Sequence, residues 1–280
     1  MRNRLIAAVL LALTASVLLT PASARASQQA PLAEVPAATP RWPDGRVNLG
    51  APTGTKGIWE GGGRLALNPN SYDANRGLGS APIHIDDVPL QPWARAMVDY
   101  RQANSLKDEP YTRCKPSGGP RFFATAYGLE ILDRPDLERI YIFVIGGPHT
   151  YRTIYMDGQP HPTDPAPSYL GHSIGRWERD TLVIDTVGFN ERAWIDRNAM
   201  PHTDQLHMIE RVTRVDSDTL EYEVTIDDPG AYTDTWTTGF SKSWSEGEEM
   251  FEYVCQDNNY ASELMIGEGT LAHRDSRITP

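Results

Sequence analysis

The most regular feature of the chain is an alternation of apolar and polar side chains, which begins after Arg121 and is typical of β-strands. It is clearest in segment 207–227, where two such runs are separated by a polar turn. In the second run the apolar side chains are Leu220, Tyr222, Val224 and Ile226, and the polar ones are Glu221, Glu223 and Thr225. This segment therefore predicts a β-hairpin with one buried face and one exposed face.

Similar segments follow one another with tight turns between them. Gly57 and Trp59 begin the first predicted strand, and two strands joined at Arg179-Asp180 occupy residues 174–186. The other predicted strands lie within 139–147, 150–159, 232–244 and 248–256. At least seven strands in succession indicate an antiparallel sheet that is either closed into a barrel or folded as a sandwich.

One segment ahead of the main strands has a helical period instead. Pro92 suits the first turn of a helix, and Trp93, Met97 and Tyr100 recur at spacings of four and three residues. This pattern predicts one helix at about residues 91–104.

The N-terminus has the pattern of a secretory signal peptide. Arg2 and Arg4 precede an apolar stretch at residues 5–19, and small residues allow cleavage after Ala24 or Ala26. The apolar stretch is shorter than the roughly 20 residues that a membrane-spanning helix needs. We therefore expect a periplasmic or secreted protein with no membrane span.

These features divide the chain into four predicted parts. A signal peptide covers 1–26, and a flexible lead rich in Pro, Ala and Gly covers 27–56. A single β domain covers 57–270, and a C-terminal tail covers 271–280.

Charge and cysteine content narrow the function classes. The net charge of −11 argues against nucleic acid and anionic membranes as partners, because both repel an acidic protein. Only Cys114 and Cys255 are present, and in an oxidising compartment such a pair predicts a disulfide bond. A small-molecule ligand or substrate is the expected partner, and nothing in the sequence sets the oligomeric state.

Residues 171–175 match the G-x-S-x-G pattern of serine hydrolases, with Ser173 as the candidate nucleophile. A nucleophile elbow needs a strand before the serine and a helix after it. Here a proline-rich segment precedes Ser173 and a predicted β-hairpin follows. A serine hydrolase is therefore kept only as an alternative.

The segment 190–211 concentrates candidate acid–base residues, namely Asp196, His202, His207 and Glu210. Either histidine suits proton transfer near neutral pH, and either carboxylate could orient it. Tyr155 is a further candidate, for stabilising developing negative charge.

Several other side chains are candidates for substrate binding. An arginine on an apolar strand needs an anionic partner, which singles out Arg152 and Arg176, although Asp185 could pair with Arg176 internally. The remaining candidates for substrate contact are His172, Trp177 and Trp194.

Scattered histidines raise the alternative of a metal site, since His149, His161, His172, His202 and His207 could come together from several loops. No recognised metal-ligand spacing occurs, and no cofactor-binding fingerprint is found. We predict neither a metal nor a cofactor.

The chain resembles a large family of exported bacterial proteins of unassigned activity over Trp59–Asn259, through the segments GRWERDTLVIDTVGFNERAWID, PHTDQLHMIERV, EYEVTIDDPGAYTDTW and FEYVCQDNN. Gly57-Ile58-Trp59 also resembles the G-x-W motif in the first strand of lipocalin-like (calycin) barrels. The second resemblance implies a mainly β, antiparallel lipocalin-like barrel with an N-terminal arm and one helix. It also implies an internal cavity for an apolar or aromatic molecule.

These observations favour an acid–base enzyme of the lyase, hydratase or isomerase type, acting on a small apolar or aromatic molecule held by the barrel. The alternative is a non-catalytic carrier or sensor of a hydrophobic metabolite. The further alternative is the serine hydrolase that uses Ser173.

Overall fold

The computed structural model describes residues 38–69, 83–104, 106–146, 148 and 150–255. The predicted signal peptide, the tail at 271–280 and His149 lie outside these ranges. Within them, no helix is long and apolar enough to cross a bilayer.

Nine strands form a closed barrel in which each strand pairs with its neighbours in chain order. They are β1 (Gly57–Glu60), β2 (Leu129–Arg134), β3 (Arg139–Val144), β4 (Tyr151–Tyr155), β5 (His172–Glu178), β6 (Thr181–Val187), β7 (His207–Arg214), β8 (Thr219–Asp227) and β9 (Trp236–Glu246). The predicted mainly β barrel is confirmed, and the sandwich is not the fold. Strand β2 was missing from the predicted series, and residues 251–254, within the last predicted strand, form no strand.

The barrel is mixed rather than strictly antiparallel, because β4 and β5 run in the same direction. A closed ring of strands that alternate in direction needs an even number, so nine strands leave one parallel pair. That pair is short, with Ile154 opposite Ser173 and Tyr155 opposite Ile174. Parallel neighbours need a long crossover, and residues 156–171 supply it.

The helix α1 (Pro92–Ala103) begins and ends within the predicted range. Its buried face consists of Ala94, Val98 and Arg101. The apolar residues that gave the periodic pattern are partly outside this face, since Trp93 and Tyr100 are exposed. Short 3-10 helical turns occur at Ile85–Asp87, Pro110–Arg113, Gly119–Phe122 and Pro135–Leu137.

The N-terminal lead is ordered against the barrel over part of its length, contrary to the prediction of a flexible segment up to residue 56. Val47 and Leu49 are buried in the main hydrophobic cluster. The indole Nε1 of Trp59 donates to the carbonyl oxygen of Leu49 at 2.6 Å. Burial of two aliphatic side chains stabilises this contact by roughly 3–6 kcal/mol relative to exposure.

The barrel interior is filled by side chains. Along β7, for example, the inward residues Met208, Glu210, Val212 and Arg214 are all buried. The Arg214 guanidinium lies 4.8 Å from the ring centroid of Trp59 and 5.0 Å from that of Trp244, and Nη1 donates to two backbone carbonyls. The predicted ligand would therefore have to compete with native packing for this space.

The predicted disulfide joins Cys114 to Cys255, with their Cα atoms 5.6 Å apart. It closes a sequence separation of 141 residues. The bond fastens the segment that follows β9 to the 3-10 turn Pro110–Arg113, outside the barrel wall.

We expect that replacing both Cys114 and Cys255 with Ser lowers the free energy of unfolding by about 2–5 kcal/mol, because the unfolded chain then regains the entropy of a long loop. Urea unfolding of the oxidised parent and of the double variant measures the difference. A loss below about 1 kcal/mol would contradict a stabilising role, and the reduced parent serves as the control.

A second prediction concerns Lys242, which points inward from β9 and is buried. Its Nζ donates to the carbonyl oxygens of Gly61 at 2.6 Å and Thr125 at 2.8 Å. Burial lowers the pKa of Lys242 from 10.5 to about 7. Between these two values the unfolded chain binds more protons than the folded one, so this group makes stability rise with pH across that window.

The expected rise is about 1 kcal/mol per pH unit between pH 7 and 9. Lys242→Met should remove this slope, while Lys115→Met, at an exposed position, should keep it. Urea midpoints at pH 7, 8 and 9 measure both, and an unchanged slope in Lys242→Met would show that the amine is not the titrating group.

Candidate functional site

The outer face of the barrel carries a cluster of four titratable side chains beside the parallel strand pair. We call it the outer histidine cluster, and its members are His161, His172, Asp185 and His207. Successive side chains of a strand point to opposite faces. Ser173, Thr186 and Met208 are buried inside the barrel, so the neighbouring His172, Asp185 and His207 face outward. His161 lies on the crossover 156–171.

The cluster is a continuous chain of short contacts. His161 Nδ1 lies 2.9 Å from His172 Nδ1, and His161 Nε2 lies 3.1 Å from Asp185 Oδ1. His207 Nε2 lies 2.8 Å from the same Asp185 Oδ1. The side chains remain reachable from solvent, with exposures of 19% for His161, 27% for Asp185 and 40% for His207.

An ionised Asp185 fixes the tautomer of every neutral ring in the chain. A carboxylate only accepts hydrogen bonds, so His161 and His207 each donate through Nε2. His161 Nδ1 is then an acceptor, and His172 must donate to it through Nδ1. The two nitrogens left with lone pairs are His172 Nε2 and His207 Nδ1, one at each end of the chain.

Aromatic contacts hold His172 in place. Its ring stacks on Tyr155 with centroids 5.0 Å apart and planes at 11°. The guanidinium carbon of Arg139 lies 5.2 Å from the centroid of the same Tyr155 ring. Partial burial, followed by the nearby His161, lowers the pKa of His172 below its usual value, while Asp157 raises it. His172 is therefore a neutral base at neutral pH.

The predicted candidates Arg152 and Glu210 lie on the opposite side of the wall, inside the barrel. The two side chains form a buried bidentate ion pair, Arg152 Nη1 with Glu210 Oε1 at 2.9 Å and Nη2 with Oε2. Tyr222 donates its hydroxyl to Glu210 Oε1 at 2.8 Å, and burial, followed by that carboxylate, raises the pKa of Tyr222 well above its usual value. These residues make a satisfied internal network, so their predicted catalytic and substrate-binding roles are not supported.

Ser173 belongs to this internal network. Its Oγ accepts from Arg152 Nε at 3.0 Å and lies 3.1 Å from Thr186 Oγ1. The residue is the second position of strand β5 and is buried, with another strand after it. No nucleophile elbow forms around Ser173, which acts as a structural hydroxyl.

The predicted pair of His202 and Asp196 lies in neither location. Both are buried in the segment between β6 and β7 at one end of the barrel. Asp196 accepts from the backbone N–H groups of Asn198 and Met200 and from Asn198 Nδ2, and burial raises the pKa of Asp196 to about 6. His202 Nδ1 contacts the Thr203 carbonyl oxygen, and burial lowers the pKa of His202. The contacts of Asp196 shape the segment, whereas His202 Nε2 is buried with no hydrogen-bond partner among the described residues.

The remaining candidates also differ from prediction. Trp194 is buried beneath Arg101, whose guanidinium carbon is 4.6 Å from its centroid. Arg176 is exposed and pairs with Glu178 at 2.7 Å, not with Asp185. Trp177 packs partly buried against the core and lines a cavity of about 200 Å³ at the other end of the barrel. None of the three contacts the outer histidine cluster.

Of the predicted site residues, the structure brings together Tyr155, His172 and His207. Sequence reasoning considered His161 as a scattered metal ligand, and Asp185 as a salt-bridge partner or as the acid of the serine hydrolase alternative, and did not join the two in one site. The available signal was the two-residue alternation, which turns His207 and Asp185 to the same face of adjacent strands. No sequence pattern indicated that the crossover would place His161 over that face.

Two further properties of the surface bear on chemistry. Among the described residues, no three His, Cys, Asp or Glu side chains are arranged so that they could hold a metal ion. A polar groove of about 570 Å³ lies on the outer face of β7–β9, with Arg211, Glu221 and Glu223 among its lining residues. It is separate from the outer histidine cluster.

Comparison of the chain with protein-family models, curated proteins and solved structures found no match. The resemblances to the exported bacterial family and to lipocalin-like barrels therefore stay predictions. The proposed function therefore rests on the geometry of the outer histidine cluster.

The electrostatics of His172 give a prediction that tests this geometry. His161→Ala should raise the pKa of His172, because it removes a neighbouring ring that opposes protonation. Asp157→Asn should lower the pKa further, since Asp157 favours the charged ring. Asp164→Asn, also on the crossover, is the matched control. NMR titration of the imidazole C–H protons measures all three, and shifts of the opposite sign would contradict the placement of His161 on His172.

Proposed function

We propose that the protein is an acid–base enzyme of the lyase, hydratase or isomerase type, with the outer histidine cluster as its proton-transfer site. The observation that carries this proposal is the unbroken chain of hydrogen-bonding atoms from His172 through His161 and Asp185 to His207. Here each end has a ring nitrogen without a hydrogen-bond partner among the described residues.

His172 is the proposed general base. It takes a proton from the substrate at Nε2, and its Nδ1–H can then pass to His161 Nδ1, 2.9 Å away. The resulting imidazolium of His161 lies beside the Asp185 carboxylate, where opposite charge stabilises it. The base is thus coupled to a partly exposed His161–Asp185 pair that accepts the positive charge, and Tyr155 restricts the orientation of His172 through ring stacking.

His207 is the proposed general acid at the other end of the chain, and it begins the step as an imidazolium that carries a proton on Nδ1 as well as on Nε2, while His161 is neutral. Both imidazole arms share the single oxygen Asp185 Oδ1. One carboxylate charge neutralises one imidazolium, so protonation of the His161 arm disfavours protonation of His207. Uptake of a proton at His172 is therefore coupled to release from His207, which is what elimination, hydration and isomerisation require.

The proposal places this chemistry in a periplasmic or secreted protein. The disulfide is compatible with an oxidising compartment, where such bonds persist. The signal-peptide pattern of residues 1–26 lies outside the described residues. A carrier or sensor remains the alternative, in which the same surface binds a ligand without proton transfer.

Deuterium exchange tests the proposal without knowledge of the natural substrate. The protein is incubated in D₂O with a panel of aryl and aliphatic carbonyl compounds and unsaturated acids, and incorporation is followed by mass spectrometry. We expect Asp185→Asn to lower the exchange rate by about 10²–10⁴-fold, because it removes the group that fixes both imidazole arms.

Asp180→Asn is the matched control, since this substitution makes the same charge change in the β5–β6 turn, where Asp180 pairs with Arg41 at the surface. Equal rates for Asp185→Asn and Asp180→Asn would contradict the proposal. Binding without exchange would favour the carrier. Loss of exchange after treatment with a chelator would instead indicate a metal-dependent reaction.

A further inference from the structure

The wall beside the outer histidine cluster carries three neighbouring aromatic side chains, of which one is exposed and two are half-buried. On the outer face of β3 and β4, Tyr141, Phe143 and Tyr151 contact one another, with ring centroids 5.9–6.3 Å apart. We call these three residues the outer aromatic patch. Tyr151 has 57% of its surface exposed and is contiguous with the other two rings, and a contiguous apolar patch is the kind of surface that serves binding.

The patch continues directly to the cluster. In the β3–β4 register, Phe143 lies opposite Tyr151, and Arg139 lies opposite Tyr155. Tyr155 in turn stacks on His172. A molecule that lies on the patch and extends along the strands therefore passes the proposed general base.

Arg139 gives this surface a positive end. Its Nη1 donates to the carbonyl oxygen of Leu137 at 3.1 Å, and within the described residues it has no carboxylate within ion-pair distance. Arg134 lies opposite Arg139 on β2 and differs from it in this respect, because Arg134 pairs with Asp136 at 2.7 Å. Arg139 lies over the Tyr155 ring and lines the cavity of about 200 Å³ with Asp133 and Glu138, but neither carboxylate forms an ion pair with it, so its charge lacks a direct acidic partner among the described residues.

The spacing between the patch and Arg139 fits one class of molecule. Tyr141 and Arg139 are two residues apart on β3, which places them about 7 Å apart along the strand. Measured from the ring centre to a carboxylate oxygen, an aryl acid with a three-carbon arm spans about 6–7 Å, of which the three carbon–carbon bonds of the arm contribute about 4.5 Å at roughly 1.5 Å each. The ring can lie against Tyr141 while the carboxylate reaches the Arg139 guanidinium.

We propose that the outer aromatic patch and Arg139 form a binding site for aryl carboxylates, with the ring on the patch and the carboxylate on Arg139. The inference rests on the proposed function, for which it names the substrate class. It replaces the predicted internal cavity with a site on the outer wall.

The test uses trans-cinnamate as the probe, with trans-cinnamamide as its uncharged counterpart, and isothermal titration calorimetry as the measurement. Cinnamate should bind at least about tenfold more tightly than the amide, because it gains charge-assisted hydrogen bonds to Arg139. Arg139→Gln should abolish this difference. Tyr151→Ser should weaken both ligands by about three- to tenfold through loss of ring contact.

Two matched variants separate the local effect from a general one. Arg134→Gln makes the same charge change at the neighbouring position, and Tyr100→Ser removes an exposed tyrosine from α1. Both should bind cinnamate like the parent. Equal affinity for acid and amide, or equal losses in Arg139→Gln and Arg134→Gln, would overturn the inference.

The outcome is separable from that of the proposed function. Asp185→Asn should bind cinnamate like the parent, because Asp185 is not part of the binding surface. Deuterium exchange with other compounds but no cinnamate binding would overturn only the aryl carboxylate site. Cinnamate binding that depends on Arg139, with no exchange in any compound, would support the site and overturn only the catalytic proposal.

Discussion

The interaction on which the rest of the structure depends is the guanidinium of Arg152 across the parallel strand pair. An odd number of strands leaves the ring with one parallel junction, and here that junction has only two register pairs. From β4, Arg152 reaches Ser173 on β5, Thr186 on β6 and Glu210 on β7. A buried cation without its carboxylate costs several kcal/mol. The Arg152–Glu210 ion pair therefore holds the junction closed, and the pair itself persists only while the junction is closed. The short backbone pairing is compensated by side-chain bonds inside.

The same junction also brings the outer histidine cluster together. Two antiparallel neighbours can be joined by a tight turn, but a parallel pair requires the chain to return along the barrel. The returning segment 156–171 carries His161 over the face on which His172 and Asp185 lie. The interior of the barrel is occupied by packed side chains and the Arg152 network, so polar groups that face a ligand have to lie outside it. The parallel direction of β4 and β5 and the position of the outer histidine cluster outside the barrel thus have one cause.

Local patterns predicted the β-strands from β3 to β9 well, because alternation reports which face of a strand is buried. They also predicted the helix, although its buried face includes the charged Arg101 and leaves Trp93 exposed. Alternation places His207 and Glu210 on opposite faces of β7, but both faces carry polar and apolar side chains, so it could not show that the face of Glu210 is the buried one. That choice depends on partners distant in sequence, Arg152 for Glu210 and Asp185 for His207. For the same reason, no local pattern could place His161.

Closure of the barrel by β1 and β9 has a consequence for how the chain folds. Trp59 pairs with Trp244, so the first and last strands meet across most of the domain. Pairings this distant in sequence form slowly, because the entropy of closing the intervening loop must be overcome first. The β5–β6 and β7–β8 hairpins need only the short turns at 179–180 and 215–218 and can form early, whereas the longer segment 188–206 joins β6 to β7. Until β1 arrives, however, β9 has an unpaired edge, which can associate with another chain. The interval between making the hairpins and closing the ring is therefore when this protein is most exposed to aggregation.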